Sequence, residues 1–250
     1  MIDVHCHLEQ PDYDQDREEV IEKCRKEMKA VITSCVHPAD FELTMRLVEK
    51  YKNFLFTTVG IHPEYVKEIG EAERMEFLDI VRKNREKIVG IGEVGLDFLV
   101  EEEWRGKQKE MFKDFIHIAE ELDKPLVVHA RKAFAEAIQI LEEEKVRKVL
   151  MHFFTANDLV KKVKENGWYV SVNTTLLTSK KVKKVVRDMP LEQILTETDA
   201  PWLGPGGKRN DPNSVKFVIE KISEIKKMSF EEVDEITTNN AIEFFNLKFD

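Results

Sequence analysis

The triplet His5-Cys6-His7 is the first place in the chain where residue types and spacing suggest chemistry. Two imidazoles one residue apart on an extended segment share a face, so both can converge on one ion while Cys6 points away. Two histidines satisfied by hydrogen bonds at a strand end give the same triplet, which therefore decides nothing alone. Glu93, His129, His152 and Asp199 follow, each closing or trailing a short apolar run. A buried carboxylate or imidazole is costly unless paired, and a metal ion supplies that pairing.

Something must carry these residues to one place. Apolar runs at 2–5, 30–35, 55–59, 88–93, 126–129, 148–152, 169–172 and 193–196 predict eight strands. Amphipathic, charge-rich stretches at 16–28, 41–50, 74–85, 107–122 and 133–144 predict helices between them, and 213–226 and 229–246 predict closing helices. Continuous runs such as Leu126-Val127-Val128 suit strands buried on both faces, as in a parallel sheet covered by helices. Eight strands alternating with helices over this length predict an α/β fold, a (β/α)8 TIM-type barrel, rather than an open sheet. His5, His7, Glu93, His129, His152 and Asp199 then fall at carboxyl ends of strands, where such barrels build their active sites. His117 lies inside a helix candidate and reads as ordinary structure; His37, just past the second strand, has no role assigned. No linker or low-complexity stretch interrupts residues 1–250, which read as a single hydrolase domain.

Composition narrows the class. Hydrophobic residues make up 42% and charged residues 35%, as in a globular chain. A formal net charge of −9 does not favour strong non-specific binding to nucleic acid, although an enzyme working on chain ends needs only a local basic patch. No run is apolar enough to span a membrane and no signal segment opens the chain, so a cytoplasmic location is expected. Cys6, Cys24 and Cys35 lack paired zinc-type spacing and fit reduced thiols.

A family resemblance emerges from the segments together. Ile2-Asp3-Val4-His5-Cys6-His7-Leu8, Gly60-Ile61-His62-Pro63, Gly92-Glu93-Val94-Gly95-Leu96-Asp97, Pro125 to Arg131, His152-Phe153-Phe154, Glu197 to Leu203 and Arg209-Asn210-Asp211-Pro212 occur in order across nearly the whole chain. As a set they resemble the TatD-related metal-dependent DNase family, within the amidohydrolase-like barrel superfamily. The resemblance implies two divalent metal ions, with Zn, Mn, Mg or Co as candidates. His5, His7 and Asp199 would hold one, His129 and His152 the other, with Glu93 bridging.

Two ions about 3.5–4 Å apart would activate a bridging hydroxide for attack on a phosphodiester. Asp199 is then either a proton acceptor or a pure ligand. His62 could donate to a substrate phosphate or merely pack its loop, the resemblance favouring the former. Arg131 could fork onto phosphate or pair with a neighbouring carboxylate. Asp97 and Glu197 read as supports for the ligands, Asp3 as a support or a barrel-core residue, and Gly92 and Gly95 as the close turn that aims Glu93.

The chain departs from the family pattern in three places. Phe153-Phe154-Thr155-Ala156 stands where the family usually reads Cys-Phe-Ser-Gly. An acidic run, Glu101-Glu102-Glu103, lies past Asp97, where it would repel a long polyanion. The loop after Trp202 is shorter than usual. The basic run from Lys180 to Lys184 reads as a solvated helix face rather than a phosphate contact.

The expected function is a metal-dependent phosphodiesterase of the TatD-like deoxyribonuclease kind, acting on DNA ends, short single strands or another phosphate ester. Glu93 and Asp199 would be its catalytic pair, and no obligate protein partner is indicated. The rivals are a metallo-esterase or amidohydrolase acting on, for example, an aminoacyl ester, and a non-catalytic metal-binding protein.

Overall fold

Eight parallel strands pair in sequence order: β1 (Ile2–Cys6), β2 (Ala30–Cys35), β3 (Leu55–Val59), β4 (Gly90–Asp97), β5 (Leu126–Arg131), β6 (Val149–Met151), β7 (Tyr169–Val172) and β8 (Ile194–Thr196). The computed structural model describes residues 1–249. Between the strands run α1 (Arg17–Glu27), α2 (Phe41–Lys50), α3 (Glu71–Lys83), α4 (Arg105–Glu121), α5 (Phe134–Glu143), α6 (Val160–Glu165) and α7 (Lys180–Asp188). The expected (β/α)8 barrel is the architecture found. Its apolar strands are buried on both faces, one by the barrel interior and one by the helices.

The seam between last and first strands is made largely by residues that follow β8. Thr196 Oγ1 donates to the Ile2 carbonyl at 2.9 Å, Thr198 N donates to Asp3 Oδ1 at 3.0 Å, and Asp199 N donates to the His5 carbonyl at 3.0 Å. After β8 come α8 (Val215–Lys226) and α9 (Phe230–Phe245). Helix α9 starts on a capping box in which Ser229 and Glu232 satisfy each other's backbone amides. Its Phe244 and Phe245 then pack with Ile2, Val4, Leu150 and Leu195 to close the amino end of the barrel.

Three elements differ from the sequence expectation. β4 runs on to Asp97 and β5 to Arg131, so Glu93 and His129 lie within their strands rather than at their ends. The chain continues extended because Gly95, at φ +141°, has no Cβ to strike the adjoining strand. Helix α6 was not expected, since it is short and lysine-rich, whereas α7 carries the Lys180 to Lys184 run read as a solvated helix face. In α7 the valines Val182, Val185 and Val186 are buried, while Lys180, Lys181 and Lys184 face solvent. Among the described residues no helix is long and apolar enough to cross a membrane.

Candidate metal centre

At the carboxyl end of the barrel is a cavity of about 360 Å³, lined by His7, His62, Glu93, His129, His152 and Asp199. A larger cavity of about 610 Å³ lies at the opposite end, beside Pro125, Phe244 and several lysines, with no imidazole in its lining. His5 lies beneath the first cavity, fully buried, its Nε2 3.1 Å from Nε2 of His7.

Glu93 is the hub. Its Oε1 is 2.6 Å from His129 Nδ1 and 3.5 Å from Nε2 of both His62 and His152. Its Oε2 is 3.2 Å from His5 Nε2 and 3.7 Å from His7 Nε2. Each carboxylate oxygen thus serves a different group of imidazoles. Asp199 Oδ1 stands over the second group, 3.6 Å from His7, 3.8 Å from His5 and 4.0 Å from His152. His5, His7 and Asp199 could hold one cation among them, and His152 and His129 each meet Glu93. The rings of His129 and His152 lie 6.3 Å apart, so Glu93 is what joins the expected second ligand pair.

Hydrogen bonds on the outer side set the tautomers. His7 Nδ1 faces the Ser34 carbonyl at 3.1 Å and Glu9 Oε1 at 3.2 Å, so it carries the proton and leaves the Nε2 lone pair pointing inward. His152 Nδ1 meets Glu197 Oε2 at 2.8 Å, and Asn173 holds the other oxygen of Glu197. His129 Nε2 faces Asp97 Oδ2 at 3.3 Å, which turns its Nδ1 toward Glu93. Carboxylates behind metal-binding histidines commonly fix the ring in this way. His62 differs. Its Nδ1 accepts the backbone N–H of Glu64, so the proton sits on Nε2, at the cavity wall 3.2 Å from His129 Nδ1. His62 therefore offers a donor there, not a lone pair.

Inward-facing lone pairs set against two carboxylates are mutually repulsive unless positive charge joins them. His5 Nδ1 is buried with no partner at all. The pKa shifts express the same demand. Burial opposes charge throughout, yet Asp199 and Glu9 push His7 well above the ordinary imidazole range, Asp97 and Glu93 push His129 up, and Glu197 and Glu93 raise His152 to about 9. Burial likewise opposes ionisation of Glu93 and Asp199, but the surrounding imidazoles hold both carboxyls below their usual range. Burial and the neighbouring His129 hold His62 down to about 3, so it stays neutral. Nitrogen donors mixed with carboxylates suit a Zn, Mn, Co or similar divalent ion, and the cluster fits such a group.

Among the other residues singled out in the sequence, Arg131 lines the cavity but bonds to Asp97. Asp3 is buried and accepts from the backbone amides of His5 and Thr198, tying the first ligand to the barrel seam. His37 accepts from Ala39 N at the start of a short helical turn, and His117 is exposed on α4 near Glu144. Glu9 was not anticipated. It is buried behind His7 and also accepts from Thr33 Oγ1 at 2.9 Å, and the alternation His5, His7, Glu9 was the signal for it. The mouth carries Trp202, 45% exposed, with its ring 4.9 Å from that of His7.

Comparison with known proteins gives one consistent result. A family model described as TatD related DNase matches residues 2–246. An uncharacterized metal-dependent hydrolase of Methanocaldococcus jannaschii is 36% identical over 98% of this chain and 96% of its own length. Human deoxyribonuclease TATDN3 is 34% identical over 98% of this chain and 94% of its own. The crystal structure of the Escherichia coli TatD homolog YjjV superposes with a TM-score of 0.92 at 22% identity, covering 99% of this chain and 98% of that one; at that identity the likeness speaks for the fold.

Proposed function

Because this chain belongs to the TatD-related DNase family and is a metal-dependent hydrolase, we propose that residues 1–250 act as one hydrolase domain cleaving phosphodiester bonds, with DNA ends or short single strands as substrate. Two divalent ions are proposed, one held by His5, His7 and Asp199 and one by His129 and His152, with Glu93 shared. A cytoplasmic location accords with the absence of a membrane-crossing helix among the described residues. The observation that carries the reading is the division of Glu93, one oxygen toward His5 and His7 and the other toward His129 and His152.

Bound divalent cations would supply the positive charge that acidifies water and offsets charge developing on phosphoryl oxygens. The chain's own groups do the rest. Asp199 is the more accessible of the two carboxylates, at 15% against 4% for Glu93, and its lowered pKa keeps it ionised at neutral pH. It accepts the proton of the attacking water. Its backbone is pinned by its own amide to the His5 carbonyl, and its carbonyl accepts from Trp202 N, so the carboxylate is aimed before substrate arrives. His62, neutral and protonated on Nε2, donates to a phosphoryl oxygen. Arg131 brings the formal cation to the rim, with Asp97 fixing its position.

The test is hydrolysis of a defined single-stranded oligonucleotide by wild type and Asp199→Ala, with and without added Mn. Mn-dependent cleavage by wild type that the variant loses by about 100-fold or more supports the assignment. No cleavage by wild type overturns the DNA reading, and turnover of an aminoacyl ester in its place moves the chemistry to a carboxylic ester.

A further inference from the structure

A second cavity, about 240 Å³, opens beside the metal centre. The two share a wall of His129, His152, Arg131 and Phe153. On its far side are Phe134, Ala130 and Thr155, so its interior is apolar and largely aromatic. Phe134 is held edge-on by the fully buried Phe154, their centroids 5.0 Å apart, which fixes the ring before any ligand arrives. Arg131 and Lys132, both exposed, place two cations at its edge.

Phe153 is the aromatic hydrocarbon ring in the shared wall, lining both cavities with His129, His152 and Arg131. Its backbone sits at φ +43°, an uncommon conformation for a bulky residue. Lys132 across the cavity is also left-handed, at φ +55°. Non-glycine residues held this way cost energy and persist where the surroundings over-determine them, most often at sites that bind.

An apolar, aromatic-lined cavity flanked by cations and walled by His129 and His152 suits a molecule with an anionic group at one end and a flat ring at the other. Resting on the phosphodiesterase reading above, the geometry points to a subsite for the heterocyclic base of the nucleotide whose phosphate sits at the metal centre. Phe153 and Phe134 supply the aromatic surface, and Arg131 and Lys132 face the phosphate. Aromatic surface accepts any base, because every base has a π-face, so the subsite selects nucleotides over base-free phosphate esters without selecting sequence.

The experiment titrates the Mn-loaded protein calorimetrically with deoxyadenosine 5′-phosphate and, separately, with deoxyribose 5-phosphate. Wild type is expected to bind the base-bearing ligand about tenfold or more tighter, the scale of one base–aromatic stack. In Phe153→Ala, and in Thr155→Phe, which fills the cavity from its other side, the ratio is expected to fall to within about twofold. Should Phe153→Ala fail to fold, Thr155→Phe carries the test. Equal affinities in wild type, or a ratio preserved in either folded variant, overturns the subsite. Turnover of bis(p-nitrophenyl) phosphate by wild type is measured in parallel. Its absence overturns the phosphodiesterase reading, while the affinity ratio still decides whether the slot holds a base.

Discussion

Arg131 donates from Nε to Oδ2 of Asp97 at 2.9 Å, its Nη2 lies 2.9 Å from the same oxygen, and that oxygen is 3.3 Å from His129 Nε2. One buried carboxylate therefore sets both the imidazole that faces Glu93 and the cation at the cavity rim. Burial alone would raise its pKa, but His129, Arg131 and the Leu99 amide outweigh burial and leave Asp97 ionised well below the usual carboxylate range.

The sign of the resulting pH dependence follows from linkage. A carboxyl depressed in the folded state stabilises it above the unfolded value, about 3.9, and loses that contribution as pH falls below it. The melting temperature of wild type is expected to exceed that of Asp97→Asn at pH 7, and the gap to narrow below about pH 4 as the wild-type carboxyl protonates. A gap constant from pH 7 to pH 3 would show that the charge of Asp97 contributes nothing.

Glu197 is buried and bonds only inward, to His152 and Asn173. Removing it leaves His152 free to rotate or to change tautomer. Glu197→Ala is expected to weaken Mn affinity by about 10–100-fold, read by calorimetric titration of the metal-free protein. Unchanged affinity would mean that His152 needs no support, or is no ligand.

Gly95 cannot bear a side chain as the strands now stand. A Cβ there would lie 2.1 Å from the His129 carbonyl oxygen, at a φ of +141° that L-residues rarely adopt. Gly95→Ala is expected to cost about 2 kcal/mol or more in urea unfolding, and to disturb metal binding because β5 must shift next to a ligand. A fully stable, metal-loaded variant would overturn this account of the β4–β5 packing.

All three thiols are buried and unpaired. Burial pushes each well above the ordinary thiol range, with nearby carboxylates adding to the effect at Cys6. The thiolate is the reactive form, so native protein is expected not to react with a disulfide reagent at pH 8 and to release three equivalents once unfolded. Rapid native labelling of any one would place that thiol nearer the surface than its packing implies.

Much of the barrel was legible because its strands are apolar runs too short for helices and are buried on both sides. Where the sequence misled, the reasons are local. Gly95 resembles a strand breaker, yet it is what lets β4 pass His129. α6 shows only Val160 and Val163 to the core, too few apolar residues to register as a period. The candidate site was legible to the extent that its residues follow strands. His5, His7, Glu93, His129, His152 and Asp199 converge, with His62 and Arg131 at the edge. The residues behind them were harder. Asp97 and Glu197 stood in recognisable segments, whereas Glu9 lies past the end of β1, where only its alternation with His5 and His7 marked it before His7 was seen to turn toward it. Arg131 illustrates a further limit, since a guanidinium beside a cavity reads the same in sequence whether it grips phosphate or carboxylate.

The seam between β8 and β1 also dictates an order of events. Asp3 and Thr198 are 195 residues apart in the chain, and the same junction brings Asp199 over His5 and His7. A ribosome must deliver nearly four-fifths of the polypeptide before the first proposed ion can meet its last ligand, Asp199. Until then the paired histidines at the amino terminus have Glu93 opposite them but lack Asp199, so the closing of the seam also completes their ligand set.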